Sequence, residues 1–271
     1  MWQRAITGFF FILTIILAIV LKIWLFQIVF GVLMILALKE FYTLFKATDT
    51  QPQVATGITS SLVIYILFSL SFYWPVLSKH VLAISIVLFS AIALIELFRN
   101  KSNPFQNIGI TISGLFYTLL PILLLNLMIE FDPTTLWITS FWPVLSIFIL
   151  IWCSDTFAYL VGRKIGKTKL FERISPKKSW EGFIGGMISA IIGGLIIAYF
   201  TDESYLKYTV FAIIISAVGT AGDLVESMLK RSVNAKDSGT ILPGHGGILD
   251  RIDAILIIIP IIFYLDYFIF N

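Results

Sequence analysis

Apolar runs of about 18 to 25 residues follow one another along nearly the whole chain, separated by short polar segments. A helix rises about 1.5 Å per residue, so each run is long enough to cross a hydrocarbon layer about 30 Å thick. Lipid offers the backbone no water, and each run must satisfy its own amides and carbonyls, which selects helix. A soluble domain of this size would instead need polar faces at helical spacing. Of the 271 residues 58% are hydrophobic and 13% charged, against about 25% charged in ordinary soluble domains. The expected fold is an all-α polytopic integral membrane protein of about nine transmembrane helices. They fall near residues 5–21, 23–44, 54–74, 81–98, 108–128, 135–160, 182–200, 207–228 and 252–270. Lys22 is the one charged residue between Ala5 and Leu38, a stretch too long for one span, so a tight hairpin is expected there. Pro121, Pro143 and Pro260 fall inside expected spans and read as packing kinks. The first run has one basic residue before it and no small-residue cleavage signal after it, and reads as a retained span. The single cysteine, Cys153, excludes an intrachain disulfide and reads as a small buried side chain.

Lysine and arginine accumulate on the cytoplasmic side of membrane proteins. With the N-terminus inside, that side collects Arg4, Lys39, Lys46, Arg99, Lys101, the seven basic residues from Arg163 to Lys178, and Lys230, Arg231, Lys236 and Arg251. Lys22, Lys79 and Lys207 alone fall outside, so a cytoplasmic N-terminus is expected. Once the spans are removed, no soluble domain, low-complexity tract or internal repeat remains. Both long polar segments, about 161–181 and 229–251, emerge on the cytoplasmic face, within reach of lipid headgroups and cytosolic solutes.

The eighth span ends GTAGDLVESMLKR, which places Asp223, Glu226, Ser227 and Lys230 on one helical face. Carboxylates on an apolar helix rarely face lipid, so a polar cavity or a bound cation is expected beside them. Glu226 has a second reading, a pairing with Lys230 at i, i+4. Asp223 has no basic partner within a turn. In GHGGILDRID, Asp250 and Asp253 stand one turn apart. Carboxylates from two chain segments, with water and phosphate oxygens, suit magnesium, and a nucleotide would bring the phosphates. Lys230, Arg231, Lys236 and Arg251 form a basic set suited to phosphate oxygens. The glycines of PGHGG let the backbone approach a ligand, and His245 reads equally as a phosphate donor or a helix cap. Asp155, near the end of the sixth span, is expected to point into the same cavity. In SPKKSWEG, Ser175 and Pro176 are expected to set a turn, and Lys177 and Lys178 supply charge. Glu181 opens the next helix, as a cap or as a catalytic acid. Gly182, Gly186, Ala190 and Gly194 recur at intervals of four, a small-residue face for helix contact within one subunit or between two.

From Ser227 the chain reads SMLKRSVNAKDSGTILPGHGGILDRID, a run that closely resembles the C-terminal signature of the phosphatidate cytidylyltransferases, also called CDP-diacylglycerol synthases. SDTFAYLVGRKIGKTKL and SPKKSWEGFIGG carry the resemblance back to about residue 154, whereas the first five spans match in general hydropathy alone. The resemblance implies an integral membrane enzyme of phospholipid biosynthesis. Such an enzyme makes CDP-diacylglycerol and pyrophosphate from CTP and phosphatidic acid, with magnesium (Mg2+) and often potassium (K+). It implies an N-terminal transmembrane region over 1–134 and a catalytic region over 135–271, with two cytoplasmic loops and the signature at 227–253. On matching positions it implies catalytic roles for Asp155, Asp223, Lys230, Arg231 and Asp250. Substrate binding would fall to Lys177, Lys178, Ser179, Lys236, Asp237, His245 and Arg251, and metal binding to Asp223, Glu226, Asp250 and Asp253. The implied setting is a bacterial inner membrane. CTP would come from the cytosol and phosphatidic acid from the inner leaflet; a homodimer is left open, and no nucleic acid is expected.

Two rival readings remain from the residues. A cation-coupled transporter would carry Asp155, Asp223 and Glu226 near the bilayer midplane with paired repeats, but the polar residues gather at one face. A cytidylyltransferase or CTP-dependent kinase for another membrane lipid differs in acceptor, and the long signature disfavours the kinase. In either lipid-enzyme reading the two polar segments should close one site. The orientation has its own test: with Cys153 replaced, single cysteines at Lys169 and Ser238 should resist an impermeant thiol reagent in intact cells, and one at Asp202 should react. Labelling of the first two from outside would reverse the topology.

Overall fold

The computed structural model describes residues 2–45, 48–239, 241 and 246–270, with side chains from Ile6 onward. Nine α-helices run in chain order among the described residues: α1 (Trp2–Val20), α2 (Ile23–Leu44), α3 (Val54–Ser71), α4 (Ser78–Arg99), α5 (Pro104–Leu127), α6 (Trp142–Ile165), α7 (Trp180–Thr201), α8 (Tyr205–Ser232) and α9 (Leu249–Leu265). Two short antiparallel hairpins lie at helix ends, β1 (Glu130–Phe131) with β2 (Ile138–Ser140), and β3 (Lys169–Phe171) with β4 (Ser175–Ser179). The fold is all-α. Among the described residues eight helices are long and apolar enough to cross a membrane, the last when taken from Leu249 through Phe270, and the described apolar part of α1, Ile6–Val20, is shorter.

The hairpin at Lys22 forms as expected, between Val20 and Ile23. Its ammonium donates to the Thr135 carbonyl at 2.6 Å and lies 4.2 Å from the centre of the Trp137 ring, which ties the first hairpin to the β1–β2 segment. The sixth span departs most from expectation. It begins at Trp142 rather than near 135, and Pro143 stands in the first turn, where its fixed φ suits a helix start, not in mid-span. Asp132 explains the delay: it accepts from the Thr134 amide and hydroxyl at 2.8 and 2.7 Å and from the Thr135 hydroxyl at 2.8 Å. This Asx turn directs the chain into β1–β2, and the same bonds, the Thr134 hydroxyl foremost, draw the Asp132 pKa down to about 2. The segment 161–181 also differs from a plain loop. The turn expected at Ser175 and Pro176 falls instead at 172–174, and both residues lie in β4. A two-stranded hairpin is all edge, so a proline without an N–H is tolerated there.

In the C-terminal half α6 packs on α7, α7 on α8 and α8 on α9; α9 then meets α5 and α2 and joins the two halves. Lipid chains are as apolar as leucine, so close helix contact, not exclusion of water, holds such a bundle. The small-residue face of α7 supplies it within the subunit. A Cβ on Gly182 would lie 2.7 Å from the Ala158 carbonyl oxygen, one on Gly186 2.6 Å from that of Ser154, and one on Gly194 2.8 Å from that of Tyr208 in α8. Among α3, α4 and α5 a polar node replaces glycine contact. Buried Glu96 accepts from Gln53 Nε2 and Asn107 Nδ2, each at 2.7 Å, and from Arg99 Nη1 at 2.5 Å, so its charge is fully partnered.

The glycine contact gives a controlled prediction. Gly186→Ala should lower stability in detergent by about 1–3 kcal/mol, because its methyl meets backbone rather than a movable side chain. Gly193→Ala is the control: the nearest atoms to its Cβ lie 3.6 Å away, and helix propensity favours alanine there by roughly 1 kcal/mol. Equal melting temperatures for the two variants would contradict the α6–α7 contact.

Candidate active site

Helix α8 continues to Ser232, one turn past the expected end of its span, and carries Asp223, Glu226 and Lys230 on the side that meets α9. Lys230 Nζ lies 2.5 Å from Glu226 Oε2 and 2.8 Å from Asp250 Oδ1, so one ammonium serves carboxylates of two helices. The pairing reading for Glu226 is thus realised through Oε2. Its Oε1 is buried and has no hydrogen-bond partner among the described residues.

Asp250 has a further task. Its carboxylate accepts the Ser238 amide, at 3.3 and 3.2 Å to its two oxygens, and the Gly247 amide at 2.8 Å. Both ends of the described glycine-rich segment are thereby folded onto the start of α9. Gly246 has φ +85°, and a Cβ there would stand 2.8 Å from Asp250 Oδ2, so conformation and space both require glycine.

The acids that converge are Asp223, Glu226 and Asp253. One oxygen from each lies within 4.8 Å of the others, and Glu226 and Asp253 are buried. Three carboxylates this close repel one another unless a cation or a proton intervenes, and an all-oxygen set suits a hard divalent ion. The residues therefore fit a magnesium ion, with the unpartnered Glu226 Oε1 as the clearest open donor. Asp250 is not in this trio, since its oxygens are engaged by Lys230 and the two amides.

The second polar segment reaches the same place. Lys178, on β4, pairs with Asp223, and Asp155 on α6 is within electrostatic reach of both. Asp253 in turn feels Asp223, Lys230 and Asp155. Segments far apart in sequence thus share one acidic and basic centre. Beside it, α1, α6 and α9 enclose a crevice of about 270 Å³. Asp155, Asp250, Arg251 and Asp253 form its polar part; Phe11, Ile12, Ile15, Phe148, Ile151 and Trp152 form an apolar wall. A larger groove of about 750 Å³ between α2 and α3, lined by residues such as Trp24, Ile28, Leu62 and Trp74, holds none of these acids. Size alone does not mark the site.

Other expected residues are placed differently. Ser179 caps α7, its hydroxyl accepting the Gly182 amide at 3.2 Å. Glu181 accepts the Lys167 amide at 3.1 Å and the Thr168 hydroxyl at 2.9 Å, so it closes the turn before β3. Arg231 is exposed and donates to the Ala235 carbonyl at 3.2 Å. Lys177, Lys236 and Asp237 are exposed, and among the described residues no ion pair joins them to the acids. His245, with Pro243 and Gly244, lies outside the described residues. Two features escaped the sequence reading: the apolar wall from α1, and Glu40, a buried acid of α2 bonded to the signature segment. Glu40 carried a signal, an acid on an apolar helix, but beside Lys39 it reads as part of a solvated helix end.

The profile of the cytidylyltransferase family matches residues 2–269. A phosphatidate cytidylyltransferase of Haemophilus influenzae is 41% identical over 132 residues, 46% of each chain. Those of Staphylococcus saprophyticus and Staphylococcus aureus are each 46% identical over 121 residues, covering 44% of this chain and 46% of the relative. The matched stretch thus spans about half the length of these curated relatives. Because the family profile covers nearly all of the sequence, the chain belongs to the cytidylyltransferase family.

Proposed function

We propose that the protein transfers the cytidylyl group of CTP to phosphatidic acid, forming CDP-diacylglycerol and pyrophosphate. The observation that carries this reading is the carboxylate trio Asp223, Glu226 and Asp253, with Lys178 paired to Asp223 and Lys230 to Glu226, and with Asp253 also lining a crevice whose facing wall is apolar. Such a chamber suits a molecule with a phosphate head and hydrocarbon tails. Family membership supplies the nucleotide.

In the proposed step a phosphatidate oxygen attacks the α-phosphorus of CTP. A new P–O bond forms as the bond to the bridging oxygen breaks, and the electron pair leaves with pyrophosphate. A phosphate monoester is already anionic near neutral pH, so no residue need remove a proton from the nucleophile. The protein's task is to bring two anions together. Lys178 and Lys230 place positive charge where the phosphates meet, and Lys178 can exchange its Asp223 partner for a phosphate oxygen. Asp223, Glu226 and Asp253 would hold magnesium, which when bound supplies further positive charge to phosphate oxygens. Asp250 fixes Lys230 and folds the segment above it. The wall from α1 and α6 lets the acyl chains remain beside the bilayer while CTP enters from the cytosolic side, the side the basic residues favour.

A detergent-purified assay with CTP labelled in the α- or γ-phosphate, and a panel of lipid acceptors, tests the reading. Phosphatidic acid should acquire CMP with one pyrophosphate released per transfer. Transfer of the γ-label to lipid would establish a kinase instead, and no transfer to any lipid phosphate would reject the proposal. Asp223→Asn or Asp253→Asn should lower turnover about 100-fold or more while the protein still melts cooperatively. Undiminished activity of either across a magnesium titration would remove that residue from the site. Lys178→Ala should mainly raise the CTP concentration required.

A further inference from the structure

Glu40 lies near the C-terminal end of α2, far in sequence from the signature motifs. Its side chain is 4% exposed, and no ion pair among the described residues involves it. A buried carboxylate without a cation is costly and persists where its hydrogen bonds are specific. Those bonds go to one segment, about two hundred residues further along the chain. Oε2 accepts the Ser238 hydroxyl at 3.1 Å and the Leu249 amide at 2.8 Å. Leu249 is the first residue of α9, where the amide has no intrahelical partner and the helix dipole favours an anion. Ser238 stands at the other end of the glycine-rich segment. The fit is close: a Cβ on either Gly239 or Gly247 would overlap the Glu40 carboxylate. Oε1, against Gly239, has no hydrogen-bond partner among the described residues.

We propose that Glu40 is a positioning residue for nucleotide transfer, the clasp that holds Ser238 and Leu249, on either flank of the glycine-rich segment, to the end of α2. The two ends it holds are the ones Asp250 folds from inside through the Ser238 and Gly247 amides. Asp250 also grips Lys230, so the clasp sets the position of a side chain in the charged centre without touching substrate. The inference rests on the proposed transfer from CTP, and wild-type activity is the control that separates the two.

The test joins hydrogen exchange to kinetics. In Glu40→Ala, amide exchange in the peptide covering residues 236–250 should accelerate about tenfold or more, while exchange in β3–β4 and in the 128–141 segment stays as in wild type. The KM for CTP should rise about tenfold with kcat within about threefold, the pattern of lost positioning rather than lost chemistry. Ser238→Ala should raise KM less, and the double variant should be no worse than Glu40→Ala, because both remove one contact. Glu40→Gln keeps an acceptor oxygen and should lie between wild type and alanine; if the alanine variant does not fold, this one is judged by the same signs at about threefold. Unchanged exchange in 236–250, an unchanged KM, or additive effects of Glu40→Ala and Ser238→Ala would overturn the clasp. Inactive wild-type protein with CTP and phosphatidic acid would instead overturn the proposed function, and the exchange result would still decide the clasp.

Discussion

Lys230 reconciles charges that two helices would otherwise be unable to bring together. Glu226 and Asp250 approach each other at the α8–α9 contact, and the ammonium between them lies 2.5 and 2.8 Å from their oxygens. In a poorly hydrated bundle such a pairing adds little net stability, but losing one partner leaves uncompensated charge, so it fixes register more than it strengthens the fold. Register then decides the chemistry. α8 and α9 run antiparallel, so a turn back from Glu226 to Asp223 corresponds to a turn forward from Asp250 to Asp253. That places Asp253 beside the other two acids. The backbones lie close here: a Cβ on Gly222 would stand at ordinary packing distance, 3.4 Å, from the Ala254 Cα.

The same logic of close backbones brings in the other polar segment. Gly182 and Gly186 let α7 lie against α6, and the β3–β4 hairpin bridges the cytoplasm-facing ends of the two helices in the expected topology. Ser179 and Glu181 fasten its root, one capping α7 and the other gathering the 167–168 amides. With the root fixed, Lys178 reaches Asp223. Candidate residues for binding thus also carry hydrogen bonds that place a neighbour. α1 and α2 contribute in the same indirect sense, the first as an apolar wall and the second through Glu40.

The sequence by itself determined the helical membrane fold, because apolar runs of spanning length leave the backbone no other way to satisfy its hydrogen bonds. It also determined the division at Lys22 and the shared face of Asp223, Glu226 and Lys230, both matters of local spacing. The late start of α6 was legible only in part, since the Asx turn at Asp132 competes with a hydropathy signal that runs straight through it. The tertiary structure alone decided the rest. It divided the acids, placing Asp253 with Asp223 and Glu226 while Asp250 turned to Lys230 and two amides. It also set the small-residue face of α7 inside the subunit and joined Glu40 to Ser238 and Leu249 across the chain. Periodicity tells which residues share a face, but which oxygen meets which donor depends on how helices from distant parts of the sequence approach. That approach is governed by contacts between backbones; a small-residue period such as that of α7 marks a contact face but does not name the helix that will meet it.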